Sequence, residues 1–343
     1  MKFKNHILFV LMAITVIACT KGNTDIDMPL GEYIFFTPKM MEIEQVKAGS
    51  SNQFEGEEFG VLGYYSNNQT AIFGGYENNI ALVYKDDNGV FKYDKLAPWL
   101  EGTHTFYGFY PYSLSNTVTT GDDNMPYIAY TQPDDAEKMT DILGSKEVVE
   151  NPQTEVQLHF QHLLWKFTID IKNSQTEEII ASGTTIENPY INIKSVTITI
   201  NNLLKEAQLK LDDDFTVVPG TAYYDQPVSY TMFISTDGVQ IPAKETETSK
   251  NTETFGPLFF VPTESILCNI RIDYTTEGGY TDSFIYPAAD EYIELTYNEE
   301  SETGFNKGNV YNLTINKVNG RFILGAMINE GAWGDVTVNH EFN

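Results

Sequence analysis

The sequence predicts an all-β protein, two β-sandwiches in tandem behind an export signal. Three observations carry that reading. Apolar and polar residues alternate, as in Val196, Ile198 and Ile200 against Thr197, Thr199 and Asn201, the period of a half-buried strand. Asn88-Gly89 and Asn319-Gly320 punctuate the alternating stretches, and Asn-Gly readily takes the positive φ angles of a tight hairpin. No helical period is sustained, while 21 Tyr and 21 Phe, with abundant Thr, favour pleated strands. A chain of 343 residues has room for two domains, and the expected division is 33–165 and 166–343.

The chain opens on a signal-like segment, residues 1–18. Lys2 and Lys4 precede the apolar run Ile7 to Ala18, interrupted only by Thr15. A membrane-spanning helix needs roughly 20 apolar residues, so this shorter run reads as a signal core. Val16-Ile17-Ala18-Cys19 then has the form of a lipobox, with Cys19 as the residue to be acylated and 19–32 as a polar tether. The alternative is an ordinary cleaved signal with a coincidental cysteine. The other cysteine, Cys268, lies in Ile266-Leu267-Cys268-Asn269-Ile270 and reads as a small core residue of a buried strand. With Cys19 acylated no disulfide can form, and stability rests on the core.

Along the folded body, Tyr33 to Phe36 reads as the first strand, with a short second one around Met41 to Val46. Phe59 to Tyr65 and Ile80 to Tyr84 follow, and the turn Lys85 to Gly89 leads back through Phe91 to Tyr93. Thr105 to Tyr112 is an aromatic strand, and Ser113 to Thr131 a polar connection. In Val156 to Ile171 the buried parity changes near Leu163-Leu164, which implies a bulge or a crossing between domains. Beyond it, alternation places strands at Val196–Ile200, Ala207–Leu211, Tyr230–Ile234, Leu258–Val261, Ile266–Tyr274, Tyr280–Tyr286, Val310–Val318, Arg321–Ile328 and Val336–Phe342.

The formal charge is −27; without Lys2 and Lys4 the body carries 19 basic against 48 acidic residues, or −29. Such a chain repels nucleic acid and anionic lipid. No phosphate loop, zinc pattern or nucleophile elbow occurs. His159 and His162 are three apart, on opposite faces of a strand, so they read as separate residues rather than a metal pair. Asp122-Asp123-Asn124 and Asp212-Asp213-Asp214 lack the spacing and glycine of a calcium loop and read as turns. No catalytic, metal or cofactor residue is expected. Tyr107 to Tyr112 is either core packing or a sugar-stacking platform, with Tyr110 and Tyr112 as the candidate rings.

Several motifs occur together in order: the lipobox, Val61-Leu62-Gly63-Tyr64-Tyr65, Phe106 to Tyr112, and Asp141-Ile142-Leu143. Val156 to Lys166, Gly308 to Thr314 and a tryptophan near the C-terminus complete the set. Together they resemble fimbrillin-like lipoproteins of the Bacteroidales. The resemblance implies two transthyretin-like sandwich domains and a non-enzymatic subunit or anchor of type V pili, at the outer membrane or in the fimbrium. It also implies a lipid, such as palmitate, on Cys19, partner pilus subunits, and cell adhesion to a host or bacterial surface ligand. In that family a surface protease removes the N-terminal peptide with its first strand, and another subunit's strand enters the groove. Here the processing site corresponds to Lys47-Ala48, and the candidate donor is Arg321 to Asn343. The family's protease cuts after arginine, whereas this chain has lysine at 47 and arginine only at 271 and 321. Either a lysine-tolerant protease cuts there, or strand and lipid are retained. The alternative is a non-polymerising surface lipoprotein that binds glycans or host ligands.

Overall fold

The computed structural model describes residues 33–41, 54–66, 70–121, 125–150, 152–246, 248–288, 290–299 and 302–332. The signal 1–18, Cys19, the tether, Lys47, Ala48, Asp122-Asp123-Asn124 and the expected strand Val336–Phe342 lie outside them. The chain is all-β: helical structure among the described residues is confined to short 3₁₀ turns.

An eight-stranded sheet runs in the order Phe36–Met40, Val156–His162, Leu143–Val149, His104–Tyr110, Glu58–Tyr65, Ile80–Lys85, Phe91–Lys92. Thr70–Ala71 adds beside Glu58–Tyr65. Alternation gives this sheet two apolar faces. Phe59, Val61, Phe106, Leu158 and Phe160 look one way, into an aromatic core shared with Phe36, Phe73 and Tyr93. Leu62, Tyr107 and Phe109 look the other way. Gly60 stands opposite Phe109 in the ladder, where an added Cβ would lie 2.1 Å from that ring, so only glycine fits.

The second face packs on a four-stranded sheet, Val217–Pro219, Glu206–Lys210, Pro126–Thr131 and Val118–Thr120, through Leu209, Ile128 and Tyr130. This corrects the expectation of a polar connection over 113–131. Thr, Gly and Asp around it mask the alternation Pro126, Ile128, Tyr130, all three of which are buried. The small sheet also joins distant parts of the chain, because Glu206–Lys210 pairs antiparallel with Pro126–Thr131.

The parity change near Leu163-Leu164 is a crossing, not a bulge. Val156–His162 ends in the large sheet and Trp165–Asn173 begins in another, with both leucines fully buried between them. The new sheet has the order Thr252–Phe260, Trp165–Asn173, Asn309–Val318, Arg321–Ala332. It packs on a five-stranded sheet, Val228–Pro242, Tyr190–Asn201, Ser265–Thr276, Thr281–Tyr286, with Ile293–Thr296 also on Ser265–Thr276. Trp165 anchors one end of this core: its ring stacks on Phe305 at 4.4 Å and its indole N–H donates to the Val261 carbonyl at 2.9 Å. Cys268 is buried in the same core, and burial pushes its thiol up to about 12.

The two Asn-Gly turns differ. Asn319 and Gly320 both have positive φ, 46° and 77°, and join Val318 to Arg321 as a two-residue hairpin. At Asn88-Gly89 only the glycine does. There the Asp86 carboxylate, accepting the N–H groups of Asn88 and Val90, holds the turn.

Candidate functional site

The first strand is Phe36–Met40, three residues later than the expected Tyr33–Phe36. Tyr33 instead makes a lone bridge to Pro98. Pro38 does not interrupt it: the buried set Ile34, Phe36, Pro38 runs straight through. The reason lies in the ladder. The strand is parallel to Val156–His162, in the register Phe36↔Val156 to Met40↔Phe160. The Phe35 carbonyl accepts from Val156 N–H at 2.7 Å, and Met41 N–H donates to the Phe160 carbonyl at 2.8 Å. Odd-numbered residues therefore bond to the sheet, and even-numbered ones face away from it. Pro38 is even and sacrifices no ladder bond, the placement an edge strand tolerates.

The N-terminal half of this strand is also held from its other side. Ile34 N–H donates to the Ala97 carbonyl at 3.0 Å. The Tyr93 hydroxyl donates to the Ile34 carbonyl at 2.7 Å and accepts Ala97 N–H at 3.1 Å. These bonds close a ring joining Ile34, Tyr93 and Ala97. Burial pushes the Tyr93 hydroxyl up to about 12, so it remains a donor at any physiological pH. The Phe36 ring fills a pocket of Phe106, Tyr93 and Phe73, with centroids at 5.2, 5.9 and 6.1 Å. Grip falls off toward the C-terminal end: Ile34 is 0 % exposed, Phe36 2 % and Met41 45 %. The exposed Lys39 reaches out of the ladder, its ammonium donating to the side chain of Gln157 at 2.9 Å. Sequence reading missed Tyr93 and Ala97 as partners of this strand. A tyrosine whose hydroxyl must find an acceptor in the core was the available signal.

The other candidates resolve as structure. His159 pairs with Glu147 at 2.6 Å and His162 with Asp141 at 2.7 Å, each with its own carboxylate. Among the described residues no group of three or more metal-ligating side chains converges. In the Asp212–Asp214 turn, Asp212 accepts Thr216 N–H at 2.7 Å and Asp213 pairs with Lys146 at 2.7 Å. The Lys307 ammonium donates to the carbonyls of Asp214 and Phe215. Tyr110 is half-buried, its ring edge-on to Phe54 at 5.6 Å, and Tyr112 is half-buried against the second core. Of the candidate donor region, Arg321–Ala332 is already paired in its own sheet, at an edge beside Asn309–Val318. Its remainder lies outside the described residues.

Comparison with known proteins bears on this arrangement. No curated protein matches the chain in sequence. Among solved structures, the chain is similar to a protein assigned to cell adhesion from Bacteroides uniformis, at 15% identity and a TM-score of 0.50. That alignment covers 89% of this chain and 100% of the other. A similarly assigned protein from Bacteroides ovatus aligns at 14% identity and a TM-score of 0.48, over 90% and 98% of the two chains. The tip fimbrial protein Mfa3 of Porphyromonas gingivalis, truncated at its C-terminus, aligns at 9% and 0.40, over 87% and 99%. The Bacteroides uniformis structure shows a shared fold. The fimbrillin-like family model matches residues 47–339, and the chain belongs to that family.

Proposed function

We propose that this chain is a non-enzymatic subunit or anchor of type V pili that mediates cell adhesion. It is exported as a lipoprotein acylated on Cys19 and displayed at the outer membrane or in the fimbrium. Cleavage after Lys47 removes the first strand, and a strand from another subunit takes its place. One observation carries the reading: the strand Phe36–Met40 is an edge strand whose loss leaves every other pairing of the large sheet intact. It is also the strand that would leave with residues 19–47, and the family match begins at residue 47. Its departure uncovers the backbone edge of Val156–His162 together with the Phe36 pocket. An open edge beside apolar pockets is satisfied by an added strand, the main chain giving affinity and alternate side chains giving specificity.

The test is proteolysis of the purified precursor with a lysine-cutting protease, followed by mass and oligomeric state. The reading expects loss of residues up to 47 to convert a monomer into an assembling species. A stable monomer after clean removal of that segment refutes stalk assembly. The N-terminus of protein recovered from cells separates the two roles: a start at Ala48 marks a polymerising subunit, and a lipidated Cys19 an anchor.

A further inference from the structure

We infer that Tyr93 is the latch of the groove, and that the groove takes strands with an aromatic residue two positions after the residue whose carbonyl Tyr93 holds. The partner is an extended segment of another subunit with an aliphatic residue at the place of Ile34 and an aromatic one at the place of Phe36. The inference deepens the strand-exchange reading and rests on it.

Cleavage after Lys47 removes only one side of the groove. Tyr93, Ala97, Phe73 and Phe106 all follow residue 47 and stay with the body. Tyr93 is 3 % exposed. Without the strand its hydroxyl loses the Ile34 carbonyl, and the Ala97 carbonyl loses the Ile34 N–H. Water can reach both groups in the open groove, but a returning strand that covers them without pairing them buries a donor and an acceptor unsatisfied, which costs more than the net gain of an ordinary hydrogen bond. The body therefore rewards a strand that returns a carbonyl and an N–H at that one residue. Edge pairing to Val156–His162 is blind to side chains, because any extended chain supplies it. The Phe36 pocket is not, since its three aromatic walls are spaced for a ring.

The asymmetry of the grip also gives exchange a direction. The C-terminal end of the strand has a single wall, with Lys39 and Met41 exposed, whereas Ile34 is enclosed between Tyr93, Ala97 and the sheet. Cleavage at 47 frees the weakly held end. Peeling begins there and finishes at Tyr93.

The experiment uses the full chain with a unique protease site introduced after Lys47, cut once and checked by mass. Release of the N-terminal fragment is followed in excess synthetic peptide 33–41, for the parent protein, Tyr93→Phe and Tyr84→Phe. Tyr84 bonds to Asp94 on the surface and does not touch the strand, so it serves as the control. The expected result is exchange in the parent, release about ten-fold faster in Tyr93→Phe, and no change in Tyr84→Phe. Peptide 35–41, which lacks the Ile34 carbonyl, is expected to bind the parent and Tyr93→Phe equally. A general loosening of the fold would instead weaken both peptides. Peptide 33–41 with Phe36→Ala is expected to compete at least ten-fold less well. Exchange in the parent with an unchanged rate in Tyr93→Phe overturns the latch and leaves strand exchange standing. Absence of exchange in the parent overturns both.

Discussion

Lys317 offers the most quantitative test of the C-terminal sandwich. It is 2 % exposed, and its ammonium donates to the Tyr274 hydroxyl at 2.9 Å and the Gly320 carbonyl at 3.1 Å. It also stands 4.2 Å from the Tyr274 ring centroid and 4.6 Å from that of Phe322. Burial pushes its pKa from 10.5 to about 8, against the opposing pull of Asp282 and Glu178. Between these two values the unfolded chain holds a proton that the folded chain has released, so stability rises as pH climbs through this window. Below about pH 8 both states are protonated and the penalty is constant. At about 1.4 kcal/mol per pKa unit, the penalty at pH 7 is on the order of 3 kcal/mol, of which about 2.5 is recovered by pH 10. Tyr274, itself pushed up to about 12, does not titrate in that range. Lys317→Met keeps the stem and removes the charge. Urea unfolding at pH 7, 8, 9 and 10, with Trp fluorescence as readout, should show the stability difference between the two proteins moving toward the lysine by about 2.5 kcal/mol. Parallel curves would refute the argument.

Three further outcomes follow from the same geometry. Phe36→Ala in the full chain should cost about 3–5 kcal/mol where the pocket does not collapse, and amide exchange at Leu158 and Phe160 should rise while that at Phe167 and Ile169 stays put. Gly60→Ala drives a methyl group into the Phe109 ring and should lower the unfolding free energy from urea titration by about 1–3 kcal/mol. Burial raises the Asp273 carboxyl, but hydrogen bonds from Arg271, Ser195 and Ser283 outweigh it and hold the group at about 2. Its stabilisation is full above the ordinary carboxylate range and lost as pH falls toward 2. Asp273→Asn should therefore be less stable at pH 7 and lose less than the parent between pH 4 and 2 in thermal melts.

How much of this was legible depended on whether a side-chain period reached far enough. Tyr190–Asn201 and Ser265–Thr276 show long alternation and were readable because one face of each is core and the other is not. The Leu163-Leu164 crossing could be seen as a change of parity, since a chain moving between sheets has to turn its buried face over. Pro126–Thr131 was hidden because its burial is created by a partner strand some eighty residues away. The first strand lies later than expected because its continuation, Thr37-Pro38-Lys39-Met40, shows little apolar alternation, and pairing on one side alone makes the proline harmless. The acceptor that Tyr93 finds was out of reach for a different reason. The tyrosine's role is a hydrogen bond across 59 positions to a main-chain carbonyl, and no spacing encodes that.

The small sheet has a consequence for the chain's journey. Ile128 and Tyr130 are covered in part by Ala207 and Leu209, residues that emerge much later from the ribosome. Until they arrive, the second layer on that face is only half built, and its completion waits on a pairing of high sequence separation, which is intrinsically slow. The same delay means that a polypeptide stopped before Glu206 would carry a partly uncovered apolar layer, the kind of intermediate that aggregates.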